Sequence, residues 1–167
     1  LVGAGTATVS ANMQAIDAKD ANVNVAVNGT IANATAANVA DLNALAAATT
    51  GDVSATIDGN IAQLDDLAAS TTDTLTIVVD DVVTAATGAI VTAATIATTV
   101  DFSAAGVNDT LANLVGAGTA TVSANMQAID AKDADVAVAV NNTLANATAA
   151  NVADLNALRA ATTGDVS

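Results

Sequence analysis

The strongest constraint on this chain is that most of what it says, it says twice. Residues Leu1–Ser54 read LVGAGTATVSANMQAIDAKDANVNVAVNGTIANATAANVADLNALAAATTGDVS, and the same text returns as Leu114–Ser167, offset by 113 positions. Five of the 54 positions differ: Asn22 against Asp135, Asn24 against Ala137, Gly29 against Asn142, Ile31 against Leu144 and Ala46 against Arg159. A self-match of this length marks a tandem array, in which units stack on their neighbours instead of closing one globule. The chain begins inside the pattern without an initiator Met and stops partway through the second copy, so it reads as a window on a longer repetitive protein. Residues 1–113 are then one full repeat, and 114–167 the first half of the next.

A shorter rhythm runs inside the long one. Strand-like alternation begins near Thr6, Val23, Val53, Leu75, Ile96 and again Thr119, which divides the 113 residues into five units averaging about 22. In VNVAVN, Val23, Val25 and Val27 share a face; in DVSATID, Val53, Ala55 and Ile57 do; in TLTIVVD, Leu75, Ile77 and Val79 do. One apolar face and one face of small polar groups describe a half-buried sheet. Between the strands, Val39, Leu42 and Leu45 fall at helical spacing, as do Ile61, Leu64 and Leu67, and Val107, Leu111 and Leu114. Met13 with Ile16 makes a shorter stripe. Thr35, Asp58 or Asn60, and Asn108 or Asp109 are placed to cap these segments, and ATTGD (48–52) and GAGT (116–119) to end them. The segment from Asp80 to Val100 reads either as a helix from Val82 to about Ala94 followed by a strand, or as two strands.

Strand and short helix at a fixed period place successive strands parallel, with right-handed crossovers. The fold class expected is therefore α/β: a repeat solenoid of strand–short helix units with a stacked parallel sheet. Composition agrees. More than half the residues are hydrophobic, yet Phe102 is the lone aromatic, and most of the apolar content is Ala and Val. So thin a core makes each unit lean on the next. All seventeen acidic residues are Asp, a residue of caps and turns more than of helix interiors.

The net charge of −14 works against nucleic acid and anionic membrane surfaces as partners, and favours cations. The lack of Cys removes disulfides and thiolate metal sites. No run of about eighteen apolar residues occurs, so membrane insertion is not expected; Val82–Val100 comes nearest. With no His, Cys, Tyr or Glu, acid–base chemistry would rest on Asp and Lys alone, and no Ser or Thr has a His base. An enzyme is not expected, and no cofactor beyond calcium.

Oxygen ligands select hard cations. Asp58, Asp80, Asp81 and Asp101 stand at strand ends, where stacking brings equivalent positions about 4.8 Å apart. Like charges at that spacing repel unless a cation bridges them, which makes these four the candidate calcium ligands. The competing reading is that they form turns and caps at a solvated edge. Neither an EF-hand nor the glycine–aspartate nonapeptide is present. The G-A-G of LVGAGTATVS lacks the third Gly of a dinucleotide loop and reads as a turn. Thr74, Thr76, Thr95, Thr98 and Thr99 suggest a flat ice-binding array, but Thr mixed with Ser, Asn and Ala argues against regular ranks. Asn28, Asn33, Asn108, Asn141 and Asn146 stand in N-x-Ser/Thr sequons.

The phrases NVADLNALAAATTGDVSATIDGNIAQLDDL and NDTLANL combine a helix stripe, a polar turn and an alternating strand. In this the chain resembles the strand–helix tandem repeats of very long bacterial surface proteins: repetitive adhesins, S-layer-like proteins and giant secreted proteins of aquatic bacteria. The resemblance implies an extracellular or cell-surface structural role, a rod or filament assembled by self-association of identical repeats or chains. The alternative it carries is the stalk of a large adhesin, stiffened by calcium.

Overall fold

The computed structural model describes residues 1–68, 72–94, 99–102 and 105–167. In chain order the elements of the first copy are β1 (Val2–Gly3), β2 (Thr8–Val9), α1 (Ala11–Asp17), β3 (Val25–Ile31), α2 (Ala36–Ala48), β4 (Val53–Gly59), α3 (Ile61–Leu64), β5 (Thr74–Val79), α4 (Ala85–Ala94), β6 (Thr99–Asp101), β7 (Val107–Asp109) and α5 (Leu111–Leu114). The second copy continues with β8 (Val115–Gly116), β9 (Thr121–Val122), α6 (Ala124–Asp130), β10 (Val138–Val140) and α7 (Ala149–Ala161).

The architecture is mixed α/β. Strands β3, β4, β5 and β6 form a four-stranded sheet in sequence order, every neighbour parallel. Helices α2, α3 and α4 occupy the three crossovers. The alternation predicted for β4 and β5 holds residue by residue: Val53, Ala55, Ile57, Leu75, Ile77 and Val79 are buried. Register then aligns like with like. Ile31, Ile57, Ile77 and Val100 make one row across all four strands. A row of Thr30, Thr56, Thr76 and Thr99 lies beside it on the other face. The mixed sequence therefore does produce one regular Thr rank, because a bulge between Ala26 and Thr30 slips β3 into step. Thr95 and Thr98 of the expected array, and the strand start at Ile96, lie outside the described residues.

A second parallel ladder crosses the boundary between the copies. Val83 bridges to Val107, β7 pairs with β10, and Val138 bridges to Val166.

Local sequence explains the helices. Thr35 caps α2 by accepting from the Asn38 amide, while the Asn38 side chain accepts from the Thr35 amide; Thr148 and Asn151 repeat this box at α7. Ser10 and Ser123 accept from Met13 and Met126 in the same way at α1 and α6. The ATTGD turn is locked by Thr49, whose hydroxyl donates to the Val23 carbonyl at 2.7 Å and accepts from the Gly51 amide. Thr162 does the same with Val136 and Gly164. A Cβ on Gly51 or Gly164 would collide with the backbone of 22–23 or 135–136, so a side chain is excluded there.

Three expectations change. The segments near Thr6 and Thr119 do not join the parallel sheet; each folds into a two-stranded antiparallel hairpin, β1–β2 and β8–β9. Positive φ at Gly5 and Ala7, and at Gly118 and Ala120, closes those turns. Val107 belongs to strand β7 and not to a helix with Leu111 and Leu114, and the cap of α5 is Thr110. Helix α3 ends at Leu64, leaving Leu67 buried from the segment that follows. The stretch from Asp80 takes the first of its two readings, helix α4 and then strand β6. Among the described residues no helix is long and apolar enough to cross a membrane.

Candidate functional site

The four Asp residues expected to meet do so only in part. Asp58 lies in β4 opposite Val78, and Asp101 lies opposite Val78 on its far side, so a whole strand separates the two carboxylates. Asp80 follows β5, and there a side-chain hydrogen bond with the Asp58 carboxyl, then slight desolvation and the like charge of Asp58, raise its pKa above the ordinary 3.8. Asp58 and Asp80 are thus one close carboxyl pair. One oxygen of Asp58 is sequestered with no hydrogen-bond partner. Asp81 has other work, accepting from the Ile61 amide at 2.8 Å at the start of α3. Among the described residues, no group of three acidic side chains is arranged to hold a metal ion.

Asp101 faces a different neighbourhood. With Thr76, Thr99, Lys132, Asp133 and Asp135 it lines a shallow depression. Asp133 is buried there, and its pKa is raised chiefly by that burial, then by Asp135 and Asp101; the Phe102 amide, which donates to it at 2.7 Å, pulls the other way. Sequence spacing hides this cluster, because Asp101 and Asp133 belong to different copies.

Four of the carboxylates, and one side-chain amide, accept backbone amides from residues well before them in the chain. Asp73 accepts from Val53, Asp81 from Ile61, Asp109 from Ala85, Asp133 from Phe102, and the Asn142 side chain from Leu111. In every case the acceptor comes 20 to 31 residues after its donor. These later residues thus satisfy amides of earlier ones, at the starts of β4, α3, α4 and α5 and at Phe102 just after β6.

The G-A-G loop receives the same treatment. Its amides do converge on an anion, but the anion is the protein's own: Asp41 accepts from Gly5 at 2.6 Å and Ala7 at 2.7 Å. Asp154 accepts from Gly118 and Ala120, both at 2.8 Å. A phosphate would compete with a tethered carboxylate, which explains why a glycine-rich loop here is structural. The sequon residues Asn28, Asn33, Asn108, Asn141 and Asn146 are all exposed.

Neither a family model, a curated protein nor a solved structure matches the chain.

Proposed function

We propose that this is an extracellular structural repeat protein whose coils stack as an α/β solenoid into a rod or filament. The observation that carries the reading is the direction of the hydrogen bonding: strands pair in sequence order, and Asp after Asp reaches back to the preceding coil's amides. A molecule whose polar groups are spent on joining one coil to the next is built to extend. The sequence holds no His or Cys from which a Ser–His or Cys–His pair could be built, and the charge of −14 keeps a long apolar chain soluble.

Calcium is the cation proposed to stiffen the rod, through the Asp58–Asp80 pair, whose two carboxyl groups lie side by side. Electron microscopy of natively isolated material, first with Ca²⁺ and then with chelator, tests both claims. Continuous thin fibres with an axial repeat support the filament. Separate rods of finite length bearing a distinct head would replace it with an adhesin stalk. A melting temperature identical in Ca²⁺ and in chelator would remove calcium from the reading.

A further inference from the structure

The chain holds an internal control, since one sequence occupies two environments. In the second copy Leu114, Ile129 and Val136 are each 0 % exposed. Their counterparts in the first copy differ: Leu1 is 55 % exposed, Ile16 is 48 % exposed, and Val23 is half-buried. Asp20 is exposed where Asp133 is buried. For Leu1, Ile16 and Asp20 local sequence cannot cause the difference, because the residues from Leu1 to Ala21 and from Leu114 to Ala134 are identical.

The cause is what precedes the second copy. Helix α4 packs on α6, close enough that a Cβ on Gly88 would lie 2.8 Å from the Ile129 side chain. Strand β7 adds to the outer edge of β10, with the Val107 amide donating to Ala137 and the Asn141 amide to Asp109. Helix α5 follows and runs directly into Leu114. Among the described residues no counterpart of these elements packs on the first copy. Strand β3, the counterpart of β10, is an edge strand of its sheet. Beside it lies an open groove of about 290 Å³, lined by Leu1, Val2, Val27, Ile31, Leu42 and Leu45.

We infer that this face is the docking surface for α4, β7 and α5 of a preceding copy of the same repeat, joined to Leu1 as α5 is joined to Leu114. The inference rests on the tandem-array reading above and names the partner and the surface it requires. The occupant is defined by the fit already seen: a strand like Val107–Asp109 placed against Val25–Val27, and an apolar helix turn like Leu111–Leu114 closing the groove. The structural unit is consequently out of phase with the sequence repeat, each copy supplying the elements that finish the next. One contact would be missing at this junction. Asn142, which accepts from the Leu111 amide in the second copy, is Gly29 in the first.

The test uses the protein's lack of cysteine, which leaves any introduced thiol unique. Ile16→Cys and Ile129→Cys are made in the present chain, with Gln14→Cys as an exposed reference in the same helix. Ile16→Cys should react with a maleimide about as fast as the reference, and Ile129→Cys at least about tenfold more slowly. A longer chain carrying one further copy of residues 1–113 before Leu1 should then protect Ile16→Cys to the level of Ile129→Cys, leaving the reference unchanged. An Ile16→Cys thiol equally reactive in both chains would overturn the inference. So would protection that appears in the present chain as its concentration rises, since a separate chain would then be the occupant. Fibres accompanied by a reactive thiol would defeat this inference alone, whereas protection without fibres would defeat the filament alone.

Discussion

A single Asp in this molecule does one of two opposed things, and the difference is set by what faces it. Asp154 is 2 % exposed and accepts two amides of the β8–β9 turn; Asp41 makes the same pair of bonds with the β1–β2 turn from a half-buried position. Removing the acceptor strands two amides, more expensively where water cannot reach them. Asp154→Ala should cost about 2–3 kcal/mol in a urea titration and Asp41→Ala about 1 kcal/mol; equal losses would mean that the two turns are equally wet. Asp133 behaves differently. Its folded-state pKa is raised, so its contribution to stability is complete below the ordinary value of 3.8 and is lost as pH rises through the raised value. Asp80 adds to the trend with the same sign. Replacing Asp135 by Asn, the residue the first copy has at Asn22, removes one of the causes. Asp135→Asn should therefore raise the melting temperature at pH 7 while leaving it unchanged near pH 3. A gain of the same size at both values would assign the effect to something other than Asp133. The sequence shows that Asp belongs at turns and caps, since that follows from the residue itself. It does not show that Asp133 meets Phe102 or that Asp81 meets Ile61, because those pairings exist only once the strands are in register.

At the level of elements, the readable parts are those whose pattern is local. Helix α2 announces itself through Thr35, Asn38 and the Val39–Leu42–Leu45 stripe, and β4 and β5 through strict alternation. The misread parts are those decided by turn geometry or by partners. The hairpin at Val2–Val9 alternates like a strand, yet its left-handed residues at Gly5 and Ala7 fold it back on itself. Val107 falls at helical spacing from Leu111, but its amide and its neighbour's are engaged with Ala137 and Val83. The Thr rank emerges from a bulge that no composition argument could place. The row of Ile31, Ile57, Ile77 and Val100 sets the energetics of the sheet, since Ile57 at 0 % exposure touches the strand on either side. Ile57→Val should cost about 1 kcal/mol. Ile57→Asp puts an unpaired charge into that row and should abolish both the folded circular-dichroism signal and any fibres. Fibres unaltered by Ile57→Asp would show that assembly does not depend on this sheet.

Across the whole molecule, the two copies should differ in stability in a crossed manner, and this follows from where each one meets a neighbour. Helices α1 and α6 have the same sequence and the same Ser cap, so their intrinsic amide exchange rates are equal. Only α6 carries α4 against it, and its Ile129 is fully buried where Ile16 of α1 is not. The amides of Met126–Ala131 should exchange at least about tenfold more slowly than those of Met13–Ala18. The later helices reverse the order. Val39 of α2 is 1 % exposed beneath the first copy's four-stranded sheet, whereas its counterpart Val152 in α7 is 51 % exposed, because among the described residues β10 has a single bridge, to Val166, where β3 has the whole of β4. The stretch 39–45 should accordingly outlast 152–158. A chain of independent domains would give matched protection at all matched positions. Residues 1–167 on their own must give this reversal if the copies complete one another, since matched positions then differ in which neighbours these residues supply. Hydrogen exchange read by mass spectrometry on paired peptides decides between them without altering a residue, and equal protection in both pairs would return the chain to a row of separate units.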